Sequence, residues 1–120
     1  MNKFAATMML IEGMGARRFV VIERDDHEVR AALDVFAREI EERRIQATVF
    51  RASGAVRIDL PFGGRIDFVT PRSNRMRSMS ADVVFIDNDA HRVLGESAHE
   101  RFRDDIAAIL AARDGEVVHS

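Results

Sequence analysis

The stretch Ala81-Asp82-Val83-Val84-Phe85-Ile86-Asp87-Asn88-Asp89-Ala90 constrains this chain more than any other, because four apolar residues lead straight into an acidic turn. A short continuous apolar run is the mark of a strand covered on both faces. In a doubly wound α/β protein such a strand carries its terminal carboxylate to the sheet edge where ligands bind. Phe19-Val20-Val21-Ile22 is a second run of the same kind. Two such strands require helices on both sides of one sheet.

The 120 residues, 47% of them hydrophobic, are enough for one core, and residues 1–120 are read as a single α/β domain. With 18 basic and 20 acidic residues the formal net charge is −2, so the chain as a whole has no attraction for nucleic acid or anionic membrane. Cysteine is absent, which removes disulfides, thiolate metal sites and cysteine nucleophiles and fits a reducing compartment. The N-terminal stretch Met1 to Ile11 runs into Glu12 without a small-residue cleavage site, and no apolar run approaches the ~20 residues of a membrane helix. A soluble cytoplasmic protein with no membrane partner is expected. There is neither Trp nor Tyr, so base stacking would fall to Phe, and most of the eight Phe sit in apolar runs.

Phe4, Met8 and Ile11 recur at helical spacing before Gly13 and Gly15, which predicts a helix over about residues 3 to 13. After the strand at 19–22, Asp25-Asp26-His27-Glu28 has the pattern of a capping box, and Val29, Leu33, Phe36 and Ile40 form the buried stripe of a helix reaching about Arg43. The middle changes character. Thr48 to Arg51 reads as a strand, Ser53-Gly54 as a turn, and Val56, Ile58 and Leu60 alternate with Arg57 and Asp59. Pro61-Phe62-Gly63-Gly64 is a turn leading to the strand Ile66 to Val69. A basic segment, Pro71 to Ser80, precedes the strand at 82–87. Ser97 with Glu100 predicts a second capping box, Phe102, Ile106, Ile109 and Leu110 the inner face of a last helix, and Glu116 to His119 a short final strand. The expected architecture is a three-layer α/β domain with a mixed sheet and an inserted β-meander, with Asp25 and Asp87 on one C-terminal edge.

Three segments carry a family resemblance: Gly64-Arg65-Ile66-Asp67-Phe68-Val69, then Arg75-Met76-Arg77-Ser78, then Val83-Val84-Phe85-Ile86-Asp87-Asn88. The last resembles a Walker B strand, and the whole order resembles the RecA-like ATPase core of phage large terminase subunits. In that family a glycine-led strand precedes an Arg-Gly loop, where Arg77-Ser78 stands here, and the Walker B strand ends in Asp-Glu, where Asp87-Asn88 stands here. By the same resemblance Asn2-Lys3-Phe4 falls at the end of a Walker A motif. No glycine-rich phosphate loop occurs in these residues, and Phe4 replaces the Mg²⁺-binding hydroxyl. The resemblance therefore implies a degenerate P-loop fold that binds rather than hydrolyses. The enzymatic alternatives are a metal-dependent nuclease and an ATPase completed by another chain.

Two groups stand out as sites. Asp87 and Asp89, with His91 nearby, offer carboxylate oxygens for Mg²⁺, although Asp87 and Asn88 equally suit backbone capping of the following turn. Asp-x-Asp after an apolar strand also resembles the haloacid-dehalogenase phosphatases, which need a downstream Lys; the only lysine here is Lys3. Arg72, Arg75 and Arg77 lie in a loop with no acid between Pro71 and Ser80 and are candidates for phosphate contact with nucleic acid or for a partner surface. Arg57, Asp59, Arg65 and Asp67 read as cross-strand ion pairs on a solvated face. Asp67 would join a nuclease site only by converging with Asp87 and Asp89. His27 and His99 are expected to be exposed, and the six Met either fill core or line an adaptable protein-partner surface.

Overall fold

Five of the apolar runs read from the sequence pair into one six-stranded mixed sheet together with the exposed final strand. A computed structural model describes residues 1–52 and 54–120, so the Ser53 half of the predicted Ser53-Gly54 turn lies outside the described residues. In chain order the elements are helix α1 (Lys3–Met14), strand β1 (Arg18–Ile22), helix α2 (Asp26–Arg43), strands β2 (Thr48–Phe50), β3 (Arg57–Asp59), β4 (Arg65–Val69) and β5 (Val83–Ile86), helix α3 (Glu96–Ala111) and strand β6 (Glu116–His119). The sheet order is β2-β3-β4-β1-β5-β6. Strands β4, β1, β5 and β6 run parallel, and β2 and β3 form the antiparallel meander.

Alternation along β1, β4 and β5 divides the core in two. Phe19, Val21, Ile66, Phe68, Val83 and Phe85 pack under α1 and α2. Val20, Ile22, Val69, Val84 and Ile86 face α3 and the loop residue Met76. This is the expected three-layer α/β arrangement, and both faces of β1 and β5 are covered because each is apolar on both.

Local chemistry sets the helix ends. Asn2 caps α1, its Oδ1 accepting from the amides of Phe4 at 2.7 Å and Ala5 at 3.3 Å. Asp25 caps α2 by accepting from the Glu28 amide at 2.9 Å, as the Asp25–Glu28 pattern predicts. The Ser97–Glu100 box does not form. Helix α3 starts two residues earlier than that box implies, at Glu96, with Gly95 at the cap and no side-chain cap, so Ser97 lies inside the first turn. At the other edge a Cβ on Gly64 would run into the Gly13 carbonyl, so that α1 seats on the β3–β4 turn through backbone. Among the described residues no helix is long and apolar enough to cross a membrane.

Candidate functional site

Strands β4 and β5 leave the central β1 on opposite sides, so the crevice between the C-terminal ends of β1 and β5 is a topological switch point, where α/β sheets place ligands. The two strands deliver Glu23 and Asp87 there, each the first residue past its apolar run and each buried. Asp25 joins this edge as expected but is exposed and committed to capping α2.

Two buried carboxyl groups in contact cannot both be charged without large cost. Burial, followed by the hydrogen bond to Asp87 and its charge, pushes Glu23 up to about 9. Glu23 therefore carries the proton at neutral pH. Burial alone would raise Asp87 too, but hydrogen bonds from Glu23 and Ser120 and the charge of the terminal amino group outweigh it and hold Asp87 below the usual carboxylate range. The Met1 amino nitrogen is 3.1 Å from Asp87 Oδ2. The Ser120 hydroxyl donates to Asp87 Oδ1 at 3.0 Å and accepts from the Asn88 amide at 2.8 Å. Asp87 Oδ1 is thus hydrogen-bonded within the fold, whereas Oδ2 is buried with the terminal amino group as its ionic neighbour and no hydrogen bond.

After Asp87 the backbone turns through two consecutive left-handed residues, Asn88 (φ 49°) and Asp89 (φ 50°), within a 3-10 stretch spanning Asp87–Val93. Asn and Asp tolerate this region best among residues with a Cβ. The two acids expected to share Mg²⁺ have different neighbours, Asp87 the Met1 amino group and Ser120, and Asp89 the guanidinium of Arg92. Asp89 joins His91 and His119, one ligand atom from each lying within 4.8 Å of the others, while Asp87 is outside that group. Asp67, on β4, is outside it as well, so the convergence of Asp67, Asp87 and Asp89 that a nuclease needs does not occur. His99, expected to be exposed, is half-buried with its ring 5.4 Å from that of His91. His27 is exposed, as expected. Burial first, and then the neighbouring His99 and His119, hold His91 below the ordinary histidine range. Its Nδ1 is buried without a hydrogen-bond partner, a condition that costs about 1–3 kcal/mol.

The arginine loop closes partly as a 3-10 turn, Asn74–Ser78. Each of its three arginines has a partner in the fold. Arg75 is turned inward, donating to Asp67 at 3.2 Å and to the Phe68 carbonyl at 3.2 Å. Arg72 donates to the Val93 carbonyl at 3.1 Å, and Arg77 lies 4.0 Å from Asp105. The ion pairs of the meander also differ from expectation. Arg57 bonds Asp59 at 3.1 Å and Arg65 bonds Asp67 at 2.8 Å, along each strand and not across, and Asp67 is buried. Arg75 also covers Asp67 from the loop. Arg75→Ala is expected to lower stability by about 1–3 kcal/mol in urea unfolding, whereas Arg72→Ala and Arg77→Ala should stay within about 0.5 kcal/mol, because of the three loop arginines Arg75 alone bonds a buried carboxylate.

One surface is apolar without being core. Along α1, Phe4, Met8 and Ile11 point outward and are 78%, 56% and 49% exposed, and Met8 lies beside Val118 of the edge strand β6. Between them runs a groove lined by Met8, Glu12, Phe85, Glu116 and Val118.

The architecture, a six-stranded mixed sheet between helices, is a terminase-like α/β fold. The chain is similar to the large terminase from a thermophilic bacteriophage, in one crystal form over 95% of this chain and 30% of that one, at 12% identity and a TM-score of 0.65. A second crystal form of that protein matches over 93% of this chain and 28% of that one, at 15% identity and a TM-score of 0.59. Its complex with ADP matches over 86% and 25%, at 14% identity and a TM-score of 0.57. The chain thus has a terminase-like fold and spans less than a third of the length of the structures it matches. No protein-family model and no curated protein sequence matches it.

Proposed function

We propose that this terminase-like domain is a phage-type module that acts by binding a protein partner rather than by hydrolysing nucleotide. The observation that carries the reading is the outward stripe of α1, Phe4, Met8 and Ile11, set beside the open edge of β6. Contiguous exposed apolar surface of this kind marks interaction sites, Met side chains adapt to varied partners, and an unpaired strand edge accepts a further strand. The internal engagement of Asp87 and the amide at Asn88 support the non-hydrolytic half of the reading, since phosphoryl transfer depends on charge placed to hold metal and orient water. The partners already held by Arg72, Arg75 and Arg77 put nucleic acid second.

A second reading, nucleotide bound with the help of another chain, is favoured by one geometric fact. The start of α1 lies against the acidic strand end, with the Met1 nitrogen 3.1 Å from Asp87, so a phosphate loop supplied by another chain would dock at this edge of the sheet. The two readings separate experimentally. Met8→Glu with Ile11→Glu should abolish retention of proteins captured from a host lysate by the unmodified chain, with little change in unfolding midpoint. Equilibrium dialysis should show no ATP binding tighter than a Kd of ~10 μM, about −7 kcal/mol. Tighter binding favours the second reading, and capture that survives the charged pair removes the α1 surface from the first.

A further inference from the structure

We propose that Asp89, His91 and His119 form a binding site for a transition-metal dication of the Zn²⁺ class. The site goes beyond partner binding and does not depend on it. Three separate parts of the fold build it: the 3-10 stretch after β5 supplies Asp89 and His91, the edge strand β6 supplies His119, and α3 brings His99 alongside. The β5–β6 pairing sets Ile86 opposite His119, so the sheet register itself carries the last histidine to the group.

The donor geometry suits a small tetrahedral ion. One ligand atom from each of Asp89, His91 and His119 lies within 4.8 Å of the other two. Bonds of about 2.0–2.1 Å at tetrahedral angles bring ligand atoms to about 3.4 Å, so a modest rotation of the exposed His119 closes the set. His91 is already oriented, its ring stacked parallel on Phe102 at 6.2 Å with a 2° interplanar angle. The His119 ring centre lies 5.7 Å from that of His91, at an interplanar angle of 70°. The buried and unpartnered His91 Nδ1 shows that hydrogen bonding within the fold does not satisfy this ring.

Ligand chemistry selects the metal. Two imidazoles and one carboxylate favour Zn²⁺, Co²⁺ or Ni²⁺ over Mg²⁺, which requires oxygen ligands and keeps its waters. A cavity of about 490 Å³ lined by Ile86, His91, His99, Phe102 and His119 opens beside the group. It leaves a fourth position for water or for His99. The bound ion would tie the edge strand β6 to the turn after β5.

Titration of the tag-free full chain with ZnCl₂ by calorimetry, and with CoCl₂ by visible absorption, tests the assignment against MgCl₂ and against His27→Gln, which alters an exposed histidine elsewhere. One Zn²⁺ per chain, Co²⁺ ligand-field bands of a low-coordinate site and no comparable Mg²⁺ affinity are expected, with His27→Gln unchanged. His119→Gln and Asp89→Asn, both away from the core, should each weaken Zn²⁺ binding at least about 10-fold, and circular dichroism should show them folded. Absence of Zn²⁺ binding overturns the proposal. So does full affinity in folded His119→Gln, or equal affinity for Mg²⁺.

Discussion

Phe36→Ala is expected to destabilise the chain by about 3–5 kcal/mol, much of the stability of a small domain. Phe36 is fully buried on α2 and meets Phe68 of β4 edge to face, with ring centres 5.1 Å apart at 85°. Truncation leaves a cavity between helix and sheet that close-packed neighbours cannot refill, and removes the aromatic pair as well. Phe36→Leu keeps most of the volume and should cost about 1.5 kcal/mol or less. Urea unfolding followed by circular dichroism measures both. A loss below about 1 kcal/mol for the alanine variant would mean that α2 does not dock on β4 as described.

The second large effect is a fall in stability with rising pH, and Glu23 sets its sign. In the folded chain burial and Asp87 raise Glu23 to about 9, whereas an unfolded glutamate titrates near 4.5. Between those values the folded state holds a proton that the unfolded state has released, so stability is full below about 4.5 and declines until Glu23 ionises in the fold near 9. One such proton corresponds to at most about 1.4 kcal/mol per pH unit, or about 2 kcal/mol between pH 7 and 8.5. That interval lies above the titration of His91, whose lowered value acts in the opposite direction, removing stability as pH falls. Glu23→Gln keeps the shape and a donor toward Asp87 but has no proton to lose, so its urea midpoint should be flat across the interval. A wild-type midpoint that is equally flat would show that Glu23 is ionised in the fold.

Those two effects lie at opposite ends of what is legible in the sequence. Phe36 belongs to a stripe repeating every three or four residues, and such periodicity predicts both α2 and its buried face. The strands at 19–22 and 83–86 are equally plain, because a continuous apolar run has few other meanings in a chain of this length. Glu23 escapes a reading by motif, though its signal is present: it follows Phe19–Ile22 as Asp87 follows Val83–Ile86, and parallel pairing of the two runs forces the acids together. The inward turn of Arg75 is hidden, since only the tertiary fold brings its loop over Asp67. The group of Asp89, His91 and His119 is hidden for a related reason. His119 reaches it through β6 pairing with β5, and the double left-handed turn at Asn88 and Asp89 directs Asp87 and Asp89 to different neighbours. Ser97 misleads because Gly95 begins α3 with backbone alone.

Strand order also dictates a timetable during synthesis. β1 lies in the middle of the sheet, yet Phe19 pairs with Ile66 on one side and with Val83 on the other. A ribosome that has released α1, β1 and α2 has therefore released a strand with neither neighbour, and the apolar residues 19–22 stay unpaired until β4 and then β5 emerge. The meander can close first, because β2, β3 and β4 pair with sequence neighbours. Loops of this span close slowly and leave sticky intermediates. The chain is thus most exposed to misassociation while its central strand is already outside the ribosome and the acidic strand that completes it is still inside.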